Sequence, residues 1–403
     1  MLNLSRFERA DLIQMGGNLL YFLLIFAIVL DPRNCVLHLK DPAFVLLVGY
    51  NCAFYKPDLS YLPHILAAFC MVFVGYIFGE MQGSMILLEE FTAAVKSFAP
   101  LVLLLWTPYY DVIKLSKYPV LIVSALIAVL FIAVCSSSAI ELFVWHFVKA
   151  HKDMIMMTHR SFFGFAIFGM YYKSLICFIF ILFVYYYRLF NEKKRKITHF
   201  FCALLITFSF LVSGTRATML LPFIMLALVL YPALRDTRKL KYFFYPVLGL
   251  FGFAILGVIL MLATEPGEAS NAIKYAHLVS YADLFESHPE YVLFGQGPGS
   301  IFYSTGFGRW TSLTEWTYIE LIRTYGVFSL IFLTVVLLPV FKLLKYRREN
   351  YASGVLGAYL GFLFIAGTNP LLVSSTGMIV ILSAYSYVHQ LEQRKDRIAP
   401  LGQ

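Results

Sequence analysis

The sequence predicts an all-α, polytopic membrane protein of about twelve transmembrane helices, and three observations carry that reading. The chain is 60% hydrophobic and only 14% charged, with a mean hydropathy of +0.76, whereas a soluble domain carries about 25% charged residues. Apolar runs long enough, or nearly long enough, to cross a bilayer recur along all 403 residues, so residues 1–403 form a single transmembrane domain with no room for a large soluble one. The basic residues sit in short clusters between those runs, as the positive-inside bias requires. The net charge of +9 is therefore a topology signal and not a nucleic-acid footprint, which would gather its cations in one patch.

The clusters "NEKKRKIT" (191–198), "RDTRKLK" (235–241), "KLLKYRREN" (342–350) and "EQRKDR" (392–397) all belong on the cytoplasmic side. Consecutive clusters on one side need an even number of crossings between them. Residues 199–214 and 217–234 are then two short spans whose turn, Ser213-Gly214-Thr215-Arg216, points outward. This answers how Arg216 is tolerated inside a long apolar stretch: it lies at an outer tip, not at the costly bilayer centre. The same parity places spans at 242–263 and 327–344 around an outward loop, 265–326, between spans nine and ten. A last hairpin, 352–368 and 371–390, turns at Thr368-Asn369-Pro370. Upstream, spans near 15–30, 42–56, 61–79, 92–110, 118–136 and 164–189 put Lys56, Lys114 and Lys117 inside and Glu80, Glu89 and Glu90 outside. Both termini fall in the cytoplasm, and the first run reads as a retained span.

The six cysteines are scattered, without a C-x-x-C pair, and most lie in apolar runs, where thiols pack as small hydrophobes; Cys35 and Cys135 are the pair that share the outer side. Neither a metal site nor a cofactor is expected.

Chemistry belongs to the outward face, where the SGTR tip, the long loop and the TNP turn converge. In the loop, Lys274, His277 and Tyr281 share one helical face at i, i+3, i+7. A surface helix with a wetted polar face is the plain alternative. "GQGPGS" (295–300) has glycines but no preceding strand, so it reads as a tight turn and not a nucleotide loop. "SLTEWTYIELIRTYG" (312–326) enters the tenth span; Glu315 is either a functional carboxylate or the returning half of a capping box from Ser312, and Arg323 either a site cation or the partner of Glu320. His159 and Arg160 stand at the outer entrance of the sixth span, as interfacial snorkellers or as cations facing the Arg216 cavity.

No Asp or Glu falls within an expected span, so the carboxylates that couple transport to protons or sodium are missing, and the long hydrophilic segment is asymmetric. An outward enzyme has no ATP and needs a donor that arrives activated, such as a lipid-linked diphosphate. Arginine suits the departing diphosphate and a carboxylate the attacking hydroxyl, and Arg216 and Glu315 supply that pair.

SGTRA (213–217), K-x-x-H-x-x-S-Y-x-D-L-F (274–285), LFGQGPGS (293–300) and TEWTYIELIRTYG (314–326) together resemble the bacterial O-antigen polymerases of the Wzy type, within the O-antigen ligase/polymerase superfamily. The resemblance covers residues 155–330 in pattern and the rest in topology. It implies a metal-independent, inverting glycosyltransferase of the bacterial inner membrane, acting on undecaprenyl-diphosphate-linked oligosaccharide units at its periplasmic face. Its partners would be that substrate and membrane lipid, with a chain-length regulator protein as a candidate and no nucleic acid.

By position, Glu315 stands where the related ligases carry a histidine, with Tyr318, Ile319 and Gly326 keeping the rest of that spacing and Trp316 replacing an asparagine. Arg216 matches the superfamily arginine of the SGxR turn, Lys274 falls where many members have an arginine, and Arg160 resembles a cation before the sixth span. The expected site is thus catalytic Glu315 and Arg216, with Arg160, Lys274, His277, Tyr281, Tyr318 and Arg323 contacting diphosphate or glycan. A ligase acting on lipid A–core, a polymerase of another surface polysaccharide, and more distantly a lipid-linked oligosaccharide flippase are the alternatives.

Overall fold

The computed structural model describes residues 2–151, 154–162, 165–235 and 269–398. The span expected at 242–263 and the first residues of the outward loop lie outside that set. In chain order the elements are α1 (Leu2–Leu30), α2 (Lys40–Phe54), α3 (Leu62–Met81), α4 (Leu88–Phe98) running into a 3₁₀ segment (Ala99–Tyr109), α5 (Val112–Ser136) and α6 (Ser138–Ala150). The strands β1 (Ile155–Phe162) and β2 (Phe165–Tyr172) follow, then a 3₁₀ turn (Lys173–Phe178) leading into α7 (Ile179–Asn191), α8 (Lys196–Leu211) and α9 (Arg216–Arg235). Beyond the undescribed stretch come α10 (Ala269–Ser287), α11 (Glu290–Phe294), β3 (Phe302–Ser304), β4 (Arg309–Thr311), α12 (Thr317–Tyr325), α13 (Ser329–Leu344), α14 (Asn350–Gly367) and α15 (Ser375–Ile398).

The protein is mostly helical, at 77% helix and 5% strand, so the all-α expectation holds except for two small antiparallel ribbons. Among the described residues six helical stretches are long and apolar enough to cross a membrane: Arg9–Leu30, Leu59–Met81, Val112–Ser136, Lys173–Asn191, Thr317–Leu344 and Asn350–Gly367. Lys196–Leu211 and Arg216–Tyr231 are apolar but shorter. This is a multi-pass membrane architecture. Pro119 and Pro339 sit inside α5 and α13, which bundle helices in lipid tolerate because neighbours re-satisfy the freed carbonyls.

Burial sorts the helices. Every residue of α7 from Ile179 to Tyr186 is buried, and α15 is buried from Met378 through Val388, so these two form the centre of the bundle. Val45, Val129 and Phe364 stand exposed on peripheral helices, a pattern unfavourable in water but neutral against acyl chains. Two contacts define the ends. Ser375 Oγ donates to Pro32 O at 3.4 Å where α1 ends and α15 begins, and Lys342 pairs with Glu392 at 3.2 Å at the opposite end. All six cysteines are free thiols.

One element departs from the expected span at 164–189. Residues 165–172 are strand, pairing antiparallel with 155–162 from Ile155↔Tyr172 to Phe162↔Phe165, and helix begins only beyond Tyr172. "FAIFGMYY" is a continuous apolar run, and such a run fits a buried strand as well as a helix. The Tyr172 hydroxyl donates to Leu30 O, which fastens this ribbon to the end of α1.

Gly326 separates α12 from the helix that follows. Its backbone, at φ 56° and ψ −142°, is a conformation essentially confined to glycine, and a Cβ there would overlap the Leu293 carbonyl. Gly326→Ala is expected to destabilise the assembly around α12 by about 1–3 kcal/mol from backbone strain alone, read as a lower thermal midpoint of the detergent-solubilised protein. An unchanged midpoint would mean that the α12–α13 junction can relax.

Candidate functional site

The SGTR turn joins α8 to α9 under β2. Gly214 has φ 65°, in the left-handed region that glycine adopts without penalty. Its approach to β2 is close: a Cβ on Gly169 would lie 2.9 Å from Gly214 Cα, and Met170 N donates to Val212 O at 2.7 Å. Hydroxyls lock the turn, with Ser213 Oγ and Thr218 Oγ1 2.6 Å apart and Thr218 Oγ1 donating to Thr215 O at 2.8 Å. Arg216 is the first residue of α9 and is half-buried. Its guanidinium and the helix's positive N-terminal end therefore add at one place. Nη1 reaches Asn271 Oδ1, on α10, at 3.4 Å.

One turn further along α10, Lys274 Nζ lies 3.5 Å from Glu315 Oε2, with side chains 29% and 35% exposed. Asn271 and Lys274, three residues apart, share a face, so a single turn of α10 spans Arg216 and Glu315. Glu315 is held from both sides: Trp316 Nε1 donates to Lys274 O at 3.0 Å, and the Thr314 hydroxyl bonds the Tyr281 hydroxyl. The capping box is not formed. Helix α12 starts at Thr317 with no side-chain cap, so the Glu315 carboxylate faces Lys274 instead of returning to Ser312.

The rest of the α10 face goes inward. His277 is 0% exposed; its Nδ1 lies 2.7 Å from Ser304 Oγ and Phe307 packs edge-on at 4.4 Å. Burial pushes its pKa below 6.5, against the raising influence of Glu315 and Glu320. Tyr281 is buried and donates to Glu320, so the Thr314 hydroxyl must donate to Tyr281. Burial, then the Glu320 charge, drives the Tyr281 phenol well above its usual value, and it stays protonated.

Arg323, also 0% exposed, is the hub. Nε donates to Glu320 Oε1 at 3.0 Å, Nη2 to Glu320 and to Ser312 O at 2.9 Å, and Nη1 to Gln296 and to Ser300 Oγ at 2.8 Å. The Phe302 ring covers it at 4.7 Å. A guanidinium has five N–H donors, and all five go to protein acceptors, leaving none for a ligand in this conformation. The GQGPGS turn is consumed likewise: Gln296 N donates to Arg323 O at 2.6 Å, Gly297 N to Thr324 O at 3.0 Å and Ile301 N to Met85 O at 3.1 Å.

Tyr318 is partly exposed, its hydroxyl donating to Leu363 O at 2.7 Å, while Thr317 Oγ1 donates to Asn369 O at 2.6 Å. The TNP turn is thereby brought to the start of α12. His159 pairs with Glu141 at 3.5 Å, on α6. Arg160 pairs with Ile167 through the backbone ladder of the ribbon that lies on the SGTR turn. The structure thus groups Arg216, Lys274 and Glu315 at an accessible patch and places His277, Tyr281 and Arg323 behind it as supports. Sequence reasoning gave neither Asn271 nor the Trp316 indole a place in this patch; an asparagine three residues before Lys274 on the same face was the one readable signal.

Two outcomes test the buried supports. Glu320→Ala strands the Arg323 charge and should cost about 3–5 kcal/mol, measured by thermal unfolding, while Glu320→Gln, which keeps an acceptor, should cost less. Because the folded value of His277 lies below its unfolded 6.5, the unfolded chain binds more protons between the two. Stability is then full above pH 6.5 and falls as pH drops through that window. The protection of α10 amides, corrected for the intrinsic pH dependence of exchange, should fall from pH 7.5 to 5.5, and His277→Gln should flatten that slope; an unaltered slope would assign it to another group.

Compared with family models, with curated proteins and with solved structures, the chain gives no match.

Proposed function

We propose that this chain is a membrane glycosyltransferase of the O-antigen polymerase type, joining undecaprenyl-diphosphate-linked oligosaccharide units at the periplasmic face of a bacterial inner membrane. The observation that carries the reading is the single turn of α10 that touches Arg216 through Asn271 and Glu315 through Lys274. It sets a cation at a helix N-terminus beside a carboxylate at an accessible surface. In this reading the chain crosses the membrane twelve times with both termini cytoplasmic, and residues 265–326 form the periplasmic loop.

The chemistry follows from the groups. The acceptor sugar hydroxyl attacks the anomeric carbon of the donor; the new C–O bond forms as the bond from that carbon to the diphosphate oxygen breaks. The electron pair leaves with the diphosphate, whose charge Arg216 and Lys274 meet. Glu315 accepts the hydroxyl proton. Attack opposite the leaving group inverts the anomeric centre. Lys274 stands between two anions, the carboxylate and the arriving diphosphate, so donor binding draws its charge away from Glu315 and strengthens the base.

The test is reconstitution of the purified protein with lipid-linked repeat units, without ATP or added metal, with products separated on a gel. Wild type should give a ladder. Arg216→Ala should lower the rate about a hundredfold or more at normal protein level, with poor rescue by Arg216→Lys because the fork geometry is lost. Full-length polymer from Glu315→Gln would remove the general base from this account. Transfer only when lipid A–core is supplied would make the chain a ligase.

A further inference from the structure

Behind the accessible patch, β2 carries a polar group that the scheme above does not use. Tyr171 is 7% exposed, and its hydroxyl is buried without a hydrogen-bond partner among the described residues. Buried hydroxyls are almost always paired, because an unpaired one forfeits its hydration.

Where this hydroxyl sits follows from the strand. Side chains alternate across β2, so Tyr171 shares a face with Gly169, two residues earlier. The Cβ direction of Gly169 points at Gly214 of the SGTR turn. Tyr172, on the opposite face, is spoken for by Leu30. Tyr171 therefore looks toward the Arg216 turn, on a strand pinned there by the Met170–Val212 hydrogen bond. It also lies within the field of Glu315: burial first, and then the Glu315 charge, raises its phenol far above the usual value. It is a fixed donor at any physiological pH. His277 also feels Glu315, and its buried Nε2 likewise lacks a partner among the described residues.

We propose that Tyr171 is a substrate contact: its hydroxyl donates a hydrogen bond to a hydroxyl of the acceptor sugar adjacent to the one that Glu315 deprotonates. The donation goes to a neighbouring hydroxyl because a donor on the attacking oxygen would occupy the lone pair needed for attack. This rests on the glycosyltransferase reading of Arg216 and Glu315 and adds an orienting residue to it.

Tyr171→Phe separates this role from a structural one, because it removes only the oxygen. The probe is the lipid-linked repeat unit extracted from cells deleted for this protein, with wild type, Tyr171→Phe and Glu315→Gln in detergent. Tyr171→Phe should show a thermal midpoint equal to or above that of wild type, since an unpaired donor has been deleted. Its affinity for the probe should be about fivefold to tenfold weaker, and its KM for acceptor should rise by a similar factor with kcat changed less. Glu315→Gln should keep the affinity and lose turnover. A lower midpoint for Tyr171→Phe would mean that the hydroxyl has a protein partner and would overturn the inference, as would unchanged affinity beside a wild type that binds. A wild type that binds no lipid-linked unit, or a Glu315→Gln variant that turns over normally, would instead strike the underlying reading, the former taking this inference with it.

Discussion

A guanidinium sealed from solvent must find an acceptor for every donor, and Arg323 meets that demand only when four segments meet around it. Glu320 comes from its own helix, Gln296 and Ser300 from the glycine turn, Ser312 from the approach to α12, and Phe302 from the ribbon. Leaving a buried charge partly paired costs several kcal/mol, so intermediate arrangements are penalised and the region from Gln296 to Arg323 assembles as a unit. Tyr281 extends the unit to α10 by donating to the same Glu320.

What this network does for the accessible patch is positional. Thr314 is tied to Tyr281 and Trp316 to the Lys274 carbonyl, so both neighbours of Glu315 are attached to the helix that carries Lys274. The carboxylate is presented from a braced backbone with its side chain left partly in solvent. Arg216 is braced differently, by a hydroxyl-locked turn with β2 pressed on Gly214. Two independent scaffolds therefore converge on one turn of α10, and a small displacement of that turn would move both charges.

Much of this was legible in the sequence, and the remainder was not for identifiable reasons. Apolar length and the placement of cations indicated a multi-pass helical bundle and set the SGTR tip, the loop and the TNP turn at one end, where Thr317 does meet Asn369. The ribbon at 155–172 was not readable, because "FAIFGMYY" lacks a period that separates strand from helix and its pairing partner is a stretch that reads as a loop. The face shared by Lys274, His277 and Tyr281 was readable, but not its depth. Periodicity says which residues look the same way, not how far a neighbouring ribbon covers them, and β3 and its turn cover His277 completely. Ser312-x-x-Glu315 looked like a helix cap because the pattern is local, whereas the helix begins two residues beyond Glu315 and Lys274 is the competing partner.

Arg216 and Arg323 carry the same side chain at the same end of the bundle, and their surroundings divide the work between them. Arg323 has its donors saturated and its ring-covered cation neutralised by Glu320, so its charge is spent on holding the structure together. Arg216 is half-buried at a helix N-terminus, with a neutral amide as a long contact and a lysine–glutamate pair one turn away. The positive end of the helix adds its field to that of the guanidinium. That field is presented at Arg216 and Lys274, whereas the donors of Arg323 are all taken by protein acceptors. The accessible cations can therefore change partners without loosening the scaffold, because the charge that holds this region together is the buried one at Arg323.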